Sequence, residues 1–234
     1  MAKNKLVLLI GSPGSGKGTQ ALLLAEKKKM IHLEASKLLE KRFLKSSDEE
    51  VVKIGEKEFS LKEQEKKWRN GFLCDDEFVN HVVKENLEKM QDKSDSVLLD
   101  GYPRTVNQAK LAFSTLFDFY KKGDVLVIYL SVEAEESIKR NSNRRVCSLM
   151  RHSIVDLPET KSLSVCPLDG SPLEKRVMDD PEKIKVRLRE FKERTAPVVD
   201  FFKSKKIKVS RVDGMGTVSD VFFRILKETE ELDL

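Results

Sequence analysis

No apolar run in this 234-residue chain approaches the ~20 residues needed to cross a bilayer. The run at residues 6–10 stops at Gly11, too short for a secretory segment, and no Arg/Ser-rich, acid-poor leader is visible. Cysteine is equally scarce. Cys74, Cys147 and Cys166 cannot build a disulfide framework, which suits a reducing interior, so a cytoplasmic location is expected. There is no internal repeat and no low-complexity tract. Charge is not one-sided either: 44 Lys and Arg against 39 Asp and Glu leave +5, interspersed along the chain. That balance favours neither nucleic acid nor membrane as a partner, and a site that gathers phosphates accounts for the excess. The expected partners are small molecules, and the expected state is a monomer. With 39% hydrophobic residues the chain can build a real core, and its length fits one core domain with room for insertions.

What the chain does have is a glycine-rich stretch, GSPGSGKGTQ at residues 11–20, directly after the apolar run. This reads as a buried strand, a tight turn and a helix opening near Gly16. Backbone N–H groups at Gly14, Ser15 and Gly16, with the helix N-terminus, form a nest for phosphate oxygens. Lys17 brings a compact cation to them, and a hydroxyl beyond it can join a Mg²⁺ shell. The strict pattern wants Ser or Thr directly after the lysine; here Gly18 intervenes and Thr19 follows. The strand and helix on either side are the context that makes the motif specific, so a nucleoside triphosphate is the expected ligand.

Further apolar runs at 31–33, 97–100, 125–130 and 207–212 alternate with helical patterns, without hairpin signals. They predict an α/β fold of the P-loop type: a doubly wound, five-stranded parallel sheet with helices on both faces. A helix over 16–29 should turn Ala21, Leu22, Leu24 and Ala25 inward, and another should start with Ser36 as its N-cap. Residues 46–70 are strongly charged and read as helices anchored by Trp68. A helix over 75–90 should bury Phe78, Val79, Val82, Val83 and Leu87. Residues 146–176, rich in proline and polar residues, read as a flap between two helices. A long helix over 181–202 should be disturbed at Pro197.

The stretch 100–108, Asp-Gly-Tyr-Pro-Arg-Thr-Val-Asn-Gln, sits where a strand ends, the place where open parallel sheets bind ligands. Asp100 can hold Mg²⁺ through water, and Arg104 offers a bidentate fork to phosphate. Thr105 to Gln108 also reads as a capping box. Arg140 and Arg144 lie four apart on one helix, with Arg145 adjacent, so an anion between them would relieve like-charge repulsion. On the later helix Arg187 borders the core stripe of Ile184, Leu188 and Phe191, whereas Arg189 points to solvent.

With these pieces together, the chain resembles the adenylate kinase family of nucleoside monophosphate kinases, in its long-lid form, over essentially its whole length. The signatures are GSPGSGKGTQ (11–20), LLDGYPRTVNQA (98–109), RNSNRRV (140–146), RVMDDPEKIKVRLREF (176–191) and TAP (195–197). Gly-Lys-Gly-Thr is this family's variant of the loop, which accounts for Gly18. The resemblance implies reversible transfer of the ATP γ-phosphoryl group to a nucleoside monophosphate, with AMP expected and CMP, UMP or a drifted regulatory role as alternatives. It implies a core (1–33, 72–143 and 178–234), a monophosphate-binding insertion (34–71) and a lid (144–177). Lys17, Arg104, Arg144, Arg176 and Arg187 would be the catalytic cations. Gly14 to Thr19, Arg140, Arg144 and Gly216 would hold ATP, and Thr19 and Asp100 would face Mg²⁺. Ala35, Phe72, Leu73, Cys74, Gly101, Arg104, Gln108, Arg176 and Arg187 would line the acceptor pocket, with Gln108 bonding the adenine.

Three departures stand out. Where the family has Ser-Thr-Gly-Asp-Leu-Leu-Arg, this chain reads Glu34-Ala-Ser-Lys-Leu-Leu-Glu40, so an acceptor-phosphate arginine is replaced by Glu40 and a base-contacting hydroxyl by Ala35. Of an aspartate pair, Asp179 remains and Met178 replaces its partner. In the lid, a zinc site of C-x2-C and C-x2-[CD] form is reduced to Cys147-x2-Met150 and Cys166-x2-Asp169, with His152 nearby as a substitute. Thioether is a poor zinc ligand, so the expected lid folds without metal, and Cys147, Cys166 and Asp169 are the weak zinc candidates.

Overall fold

The computed structural model describes residues 5–232 except 46, 48, 91–95, 118, 177, 178 and 231; the reading of Met178 lies outside them. The chain opens with β1 (Leu6–Gly11), α1 (Lys17–Lys27), β2 (Ile31–Glu34) and α2 (Ala35–Leu44). A hairpin of β3 (Val51–Ile54) and β4 (Lys57–Ser60) leads into α3 (Leu61–Arg69) and α4 (Asp76–Glu88). Next come β5 (Val97–Asp100), α5 (Val106–Leu116), β6 (Val125–Ser131) and α6 (Ala134–Asn143). A small unit follows: β7 (Arg145–Cys147), β8 (Ser153–Ile154), the short α7 (Pro158–Lys161) and β9 (Leu173–Lys175). The chain then runs through α8 (Pro181–Glu190), a π-helical turn at Phe191–Thr195, α9 (Pro197–Ser204), β10 (Lys208–Asp213) and α10 (Val218–Glu230).

Five strands form the expected parallel sheet, in the order β10-β6-β1-β5-β2. β1 lies in the middle, and its first four residues are fully buried because both faces are covered. Its side chains alternate between two cores. Leu6, Leu8 and Ile10 join α2, α4, α5 and α9, while Val7 and Leu9 join α1 and α10. Each such side chain stabilises the fold by about 1.5–3 kcal/mol, so the strand that delivers the glycine loop is among the most firmly held segments. α4 buries Phe78, Val79, Val82, Val83 and Leu87, as its 3.6-residue period requires.

Several expectations need correction. Residues 46–70 are not all helical: Val52 and Phe59 face each other across an antiparallel pair and are buried, with Gly55 at φ +61° in the two-residue turn. The alternation of Val52, Ile54 and Phe59 with charged residues is a strand signal that the charge density obscures. The N-cap of α2 lies two residues earlier than expected. It is Glu34, and Ser36 Oγ instead donates to Glu34 Oε1 at 2.6 Å. Leu22 is 46% exposed, because Ala21, Leu24 and Ala25 occupy the buried stripe of α1. The long helix is interrupted before Pro197: the π turn closes with Ala196 N donating to Phe191 O at 2.8 Å, and Pro197 then starts α9 at a position that lacks an N–H requirement.

Candidate active site

The loop after β1 is shaped by what surrounds it. Gly14 has φ +78°, and a Cβ there would stand 2.5 Å from both Ser137 O and Asn141 Nδ2 on α6. Ser137 Oγ also donates to Pro13 O, so α6 clamps the loop's outer side. Gly16, the N-cap of α1, has φ +89°, and a Cβ there would meet nothing within 4 Å. Its left-handed backbone turns N–H groups toward open space, the geometry of an anion nest. Ser12 and Ser15 place buried hydroxyl oxygens in the same loop without a hydrogen-bond partner among the described residues. Lys17 Nζ donates to Ser12 O at 3.0 Å. Burial pushes its ammonium down to about 7, Asp100 opposes the shift, and Arg104, Arg187 and Arg144 add to it.

The loop opens on a cavity of about 650 Å³. Gly14 through Thr19, Asp100, Arg104, Arg140, Arg144, Arg176, Arg187 and Gly216 line it, as does Phe72. Leu73 and Gly101 line a smaller adjoining cavity, against Arg104 and Arg187. Ala35, Cys74 and Gln108 are buried and line neither. Cys74 packs in the core with its thiol donating to Gln64 O, and burial raises that thiol to about 12. Gln108 forms half of the capping box that its spacing suggests, Thr105 being the N-cap, and its side chain reaches back one residue further, to Arg104. Its N–H donates to Thr105 Oγ1 at 2.9 Å, and its Oε1 accepts from Arg104 N at 2.7 Å.

The cations of the cavity fall into two groups. Arg144, at the C-terminus of α6, makes a two-pronged bond to Asp179, at 2.7 and 2.6 Å. Arg187 Nη1 reaches the same carboxylate at 3.1 Å, and the Asp179 side chain is only 3% exposed. Arg140 bonds Glu136 Oε1 at 2.7 Å and Gly214 O at 3.0 Å. The expected repulsion between Arg140 and Arg144 is therefore already offset, each having its own carboxylate. Arg104 and Arg176 differ. Arg104 Nε donates only to its own turn, at Gly101 O, and the Arg176 guanidinium has no hydrogen-bond or ion-pair partner among the described residues, although its carbonyl accepts from Asp179 N. Burial lowers the affinity of both guanidiniums for their protons; Asp100 opposes the shift at Arg104, and Arg144 reinforces it at Arg176. Arg187 is pushed down further, by burial and then by Arg144 and Arg176. Guanidiniums keep their charge at neutral pH, so a buried cluster of them is a place where an anion is favoured. Arg189 is exposed, as its position on α8 implies, and Arg145 holds lid carbonyls at Leu163 and Thr160 rather than facing the cavity.

In the small unit of β7, β8 and β9, Met150 is 58% exposed and turned away, while His152 folds back. The ligand atoms of Cys147, His152, Cys166 and Asp169 all lie within 4.8 Å of one another. His152 Nδ1 stands 3.6 Å from Cys147 Sγ, 3.4 Å from Cys166 Sγ and 3.2 Å from Asp169 Oδ2. Tetrahedral zinc with ordinary bond lengths separates such atoms by about 3.5 Å. The donor set and its spacing fit that ion.

A family model described as adenylate kinase matches residues 9–207. The chain belongs to the adenylate kinase family. It is 35% identical over 200 residues to the adenylate kinase of Mycoplasma capricolum subsp. capricolum, covering 85% of this chain and 86% of that one. It is 33% identical over 226 residues to that of Petrotoga mobilis (94% and 97% covered) and 35% identical over 226 residues to that of Listeria monocytogenes (95% and 97% covered). As a member of the adenylate kinase family the chain is a phosphotransferase, and the cavity is where the anion-calling groups converge. Three contributors escaped the sequence reading. Glu136 carried a signal, standing four residues before Arg140 on one helix. The clamp of Ser137 and Asn141 on the loop, and the sharing of Asp179 by Arg144 and Arg187, join residues distant in sequence and leave no local mark.

Proposed function

We propose that this chain catalyses ATP + AMP = 2 ADP by direct transfer of the γ-phosphoryl group. The observation that carries the reading is the convergence of the glycine-loop lysine with Arg104 and Arg176, neither guanidinium paired with a carboxylate, in one cavity with Arg144 and Arg187. A pure binding module would need the loop but not cations for a second phosphate.

The backbone of Gly14–Thr19 and Lys17 hold the donor phosphates, with Arg140 and Arg144 alongside and Gly216 against the ATP base. Arg104, Arg176 and Arg187 grip the acceptor phosphate, Arg104 from the end of β5 and Arg187 from α8, and Arg176 also faces the transferring group. Phe72, Leu73 and Gly101, which line the two cavities, surround the acceptor nucleoside, and Ala35, Cys74 and Gln108, buried outside both, would reach it only as the surrounding elements close. Asp179 fixes Arg144 and Arg187 relative to each other, so neither pays the full rotamer entropy when phosphate arrives. Charge growing on the equatorial oxygens is met by cations already in place, and no covalent nucleophile is required. Thr19 and Asp100 would hold, through water, Mg²⁺, which when bound would supply positive charge to the transferring phosphates. Asp100 suits this role, since its buried carboxylate lines the cavity and a Cβ on Gly18 would stand 3.8 Å from it.

Residues 34–71 and the lid at 144–177 would close over the core (1–33, 72–143 and 178–234) and exclude water, protecting ATP from hydrolysis. Cys147, His152, Cys166 and Asp169 would hold zinc in that lid as a closed structural site. The same reading makes the protein a monomeric cytoplasmic enzyme of nucleotide biosynthesis, and its three buried free cysteines fit a reducing compartment. A coupled ADP-release assay with ATP against AMP, CMP, UMP and GMP tests it. ADP formed best with AMP is the expected result; formation only with another monophosphate reassigns the acceptor, and none at all with ATP bound sinks the enzyme reading.

A further inference from the structure

The acceptor side of the cavity carries two carboxylates for which phosphoryl transfer has no use. Glu34 ends β2, in register with Asp100 on β5, and accepts from Ser36 Oγ at 2.6 Å with Lys37 Nζ at 3.3 Å. Glu40 lies on the flank of α2 that carries Ser36, beside the buried stripe of Ala35, Leu39 and Phe43. It is half-buried, lines the same cavity as Arg104 and Arg176, and has no hydrogen-bond or ion-pair partner among the described residues. An unpartnered carboxylate is ordinary on the solvent face of a helix; inside a cavity built to hold phosphate it opposes the ligand. Glu34 acts electrostatically on both Arg104 and Arg176, and Glu40 on Arg176, so both stand within reach of the phosphate-gripping groups.

We propose that Glu34 and Glu40 are specificity-determining residues: set against Arg104 and Arg176, they weaken the hold on the acceptor's phosphate and move selection onto its nucleoside. This rests on the kinase reading above. Repulsion between a carboxylate and a bound dianionic phosphate several ångströms away, partly screened by water, is worth about fivefold in affinity per carboxylate. Such an enzyme rejects small phosphates and phosphorylated sugars that a cluster of bare arginines would hold.

The test compares AMP, adenosine and inorganic phosphate binding by calorimetry in the full-length protein and in Glu40→Gln, Glu34→Gln and Glu40→Asp. In Glu40→Gln, AMP and inorganic phosphate should bind about fivefold tighter while adenosine stays within twofold, and the KM for AMP should fall with that for ATP unmoved. Glu40→Asp, which keeps the charge, should behave as the parent. AMP and adenosine weakening together would mean that the carboxylate bonds the nucleoside and would overturn the proposal; so would no change in either. If Glu34→Gln misfolds through loss of its bonds to Ser36 and Lys37, Glu40→Gln decides alone. A parent protein that forms no ADP from ATP and AMP defeats the kinase reading, while these binding ratios still report the charge effect.

Discussion

Binding of ATP above neutral pH should draw a proton from solution, and Lys17 should be where it lands. In the ligand-free cavity burial lowers this ammonium to about 7 from an ordinary value near 10.5, with three arginines adding to the shift against the pull of Asp100. At pH 8 roughly one lysine in ten is then protonated in the free protein. A triphosphate beside Nζ favours the charged form, so binding at pH 8 should take up about 0.9 proton. The sign follows. Only the ammonium form is complementary to phosphate, so affinity is complete below about pH 7 and is lost as pH rises, by about tenfold per unit until the bound-state value is reached. Calorimetry of Mg·ATP binding at pH 8, in two buffers of different ionisation enthalpy, measures the uptake directly, and Lys17→Met should abolish it. Equal heats in the two buffers for the parent protein would refute the reasoning.

Three other perturbations follow from the same geometry. Asp179→Asn takes from the half-buried Arg144 and Arg187 the carboxylate they share and should cost about 3 kcal/mol of stability in a denaturant titration; because phosphates replace the missing charge, saturating ATP and AMP should recover much of it, and a loss that nucleotide does not reduce would contradict the assignment. Gly14→Ala places a Cβ against Ser137 and Asn141 at φ +78°, so ATP affinity should drop about ten- to hundredfold and the melting temperature should fall by a few degrees; unchanged affinity would show that the loop tolerates the distortion. Protein purified without chelator should carry one zinc per chain by atomic emission, lost in His152→Ala but kept in Met150→Ala, and loss in both or neither would rule out the four-donor site.

What could be read from the sequence and what could not divide along one physical line. β1, the glycine loop and α1 are contiguous, and each is dictated locally: apolar residues for a strand buried on both faces, glycine for positive φ, then a helical period. The Asp100–Arg104 turn and the placement of Arg187 follow from spacing in the same way. Trouble arises where a partner comes from elsewhere. Arg144 looks repelled by Arg140 until Asp179, 35 residues on, is brought beside it. His152 could be named as a substitute from its nearness in sequence, but that it turns inward beside Cys147, Cys166 and Asp169 while Met150 stays exposed is decided by the fold of β7 and β8. The hairpin at 51–60 hides because its alternation is short and its exposed face unusually charged. Gln108 shows the limit from the other side: its capping role is local and readable, whereas any contact with a nucleobase depends on how the surrounding elements close.

The most direct measurement is a crystal structure with a bisubstrate mimic, two adenosines joined by five phosphates. The expected density threads the phosphate chain from the N–H groups of Gly14–Thr19 past Lys17 and Arg176 to Arg104 and Arg187, with the second adenosine between α2 and α5. A mimic bound by the loop alone, its far adenosine in solvent and Arg104 still turned onto Gly101 O, would contradict a site built for two nucleotides.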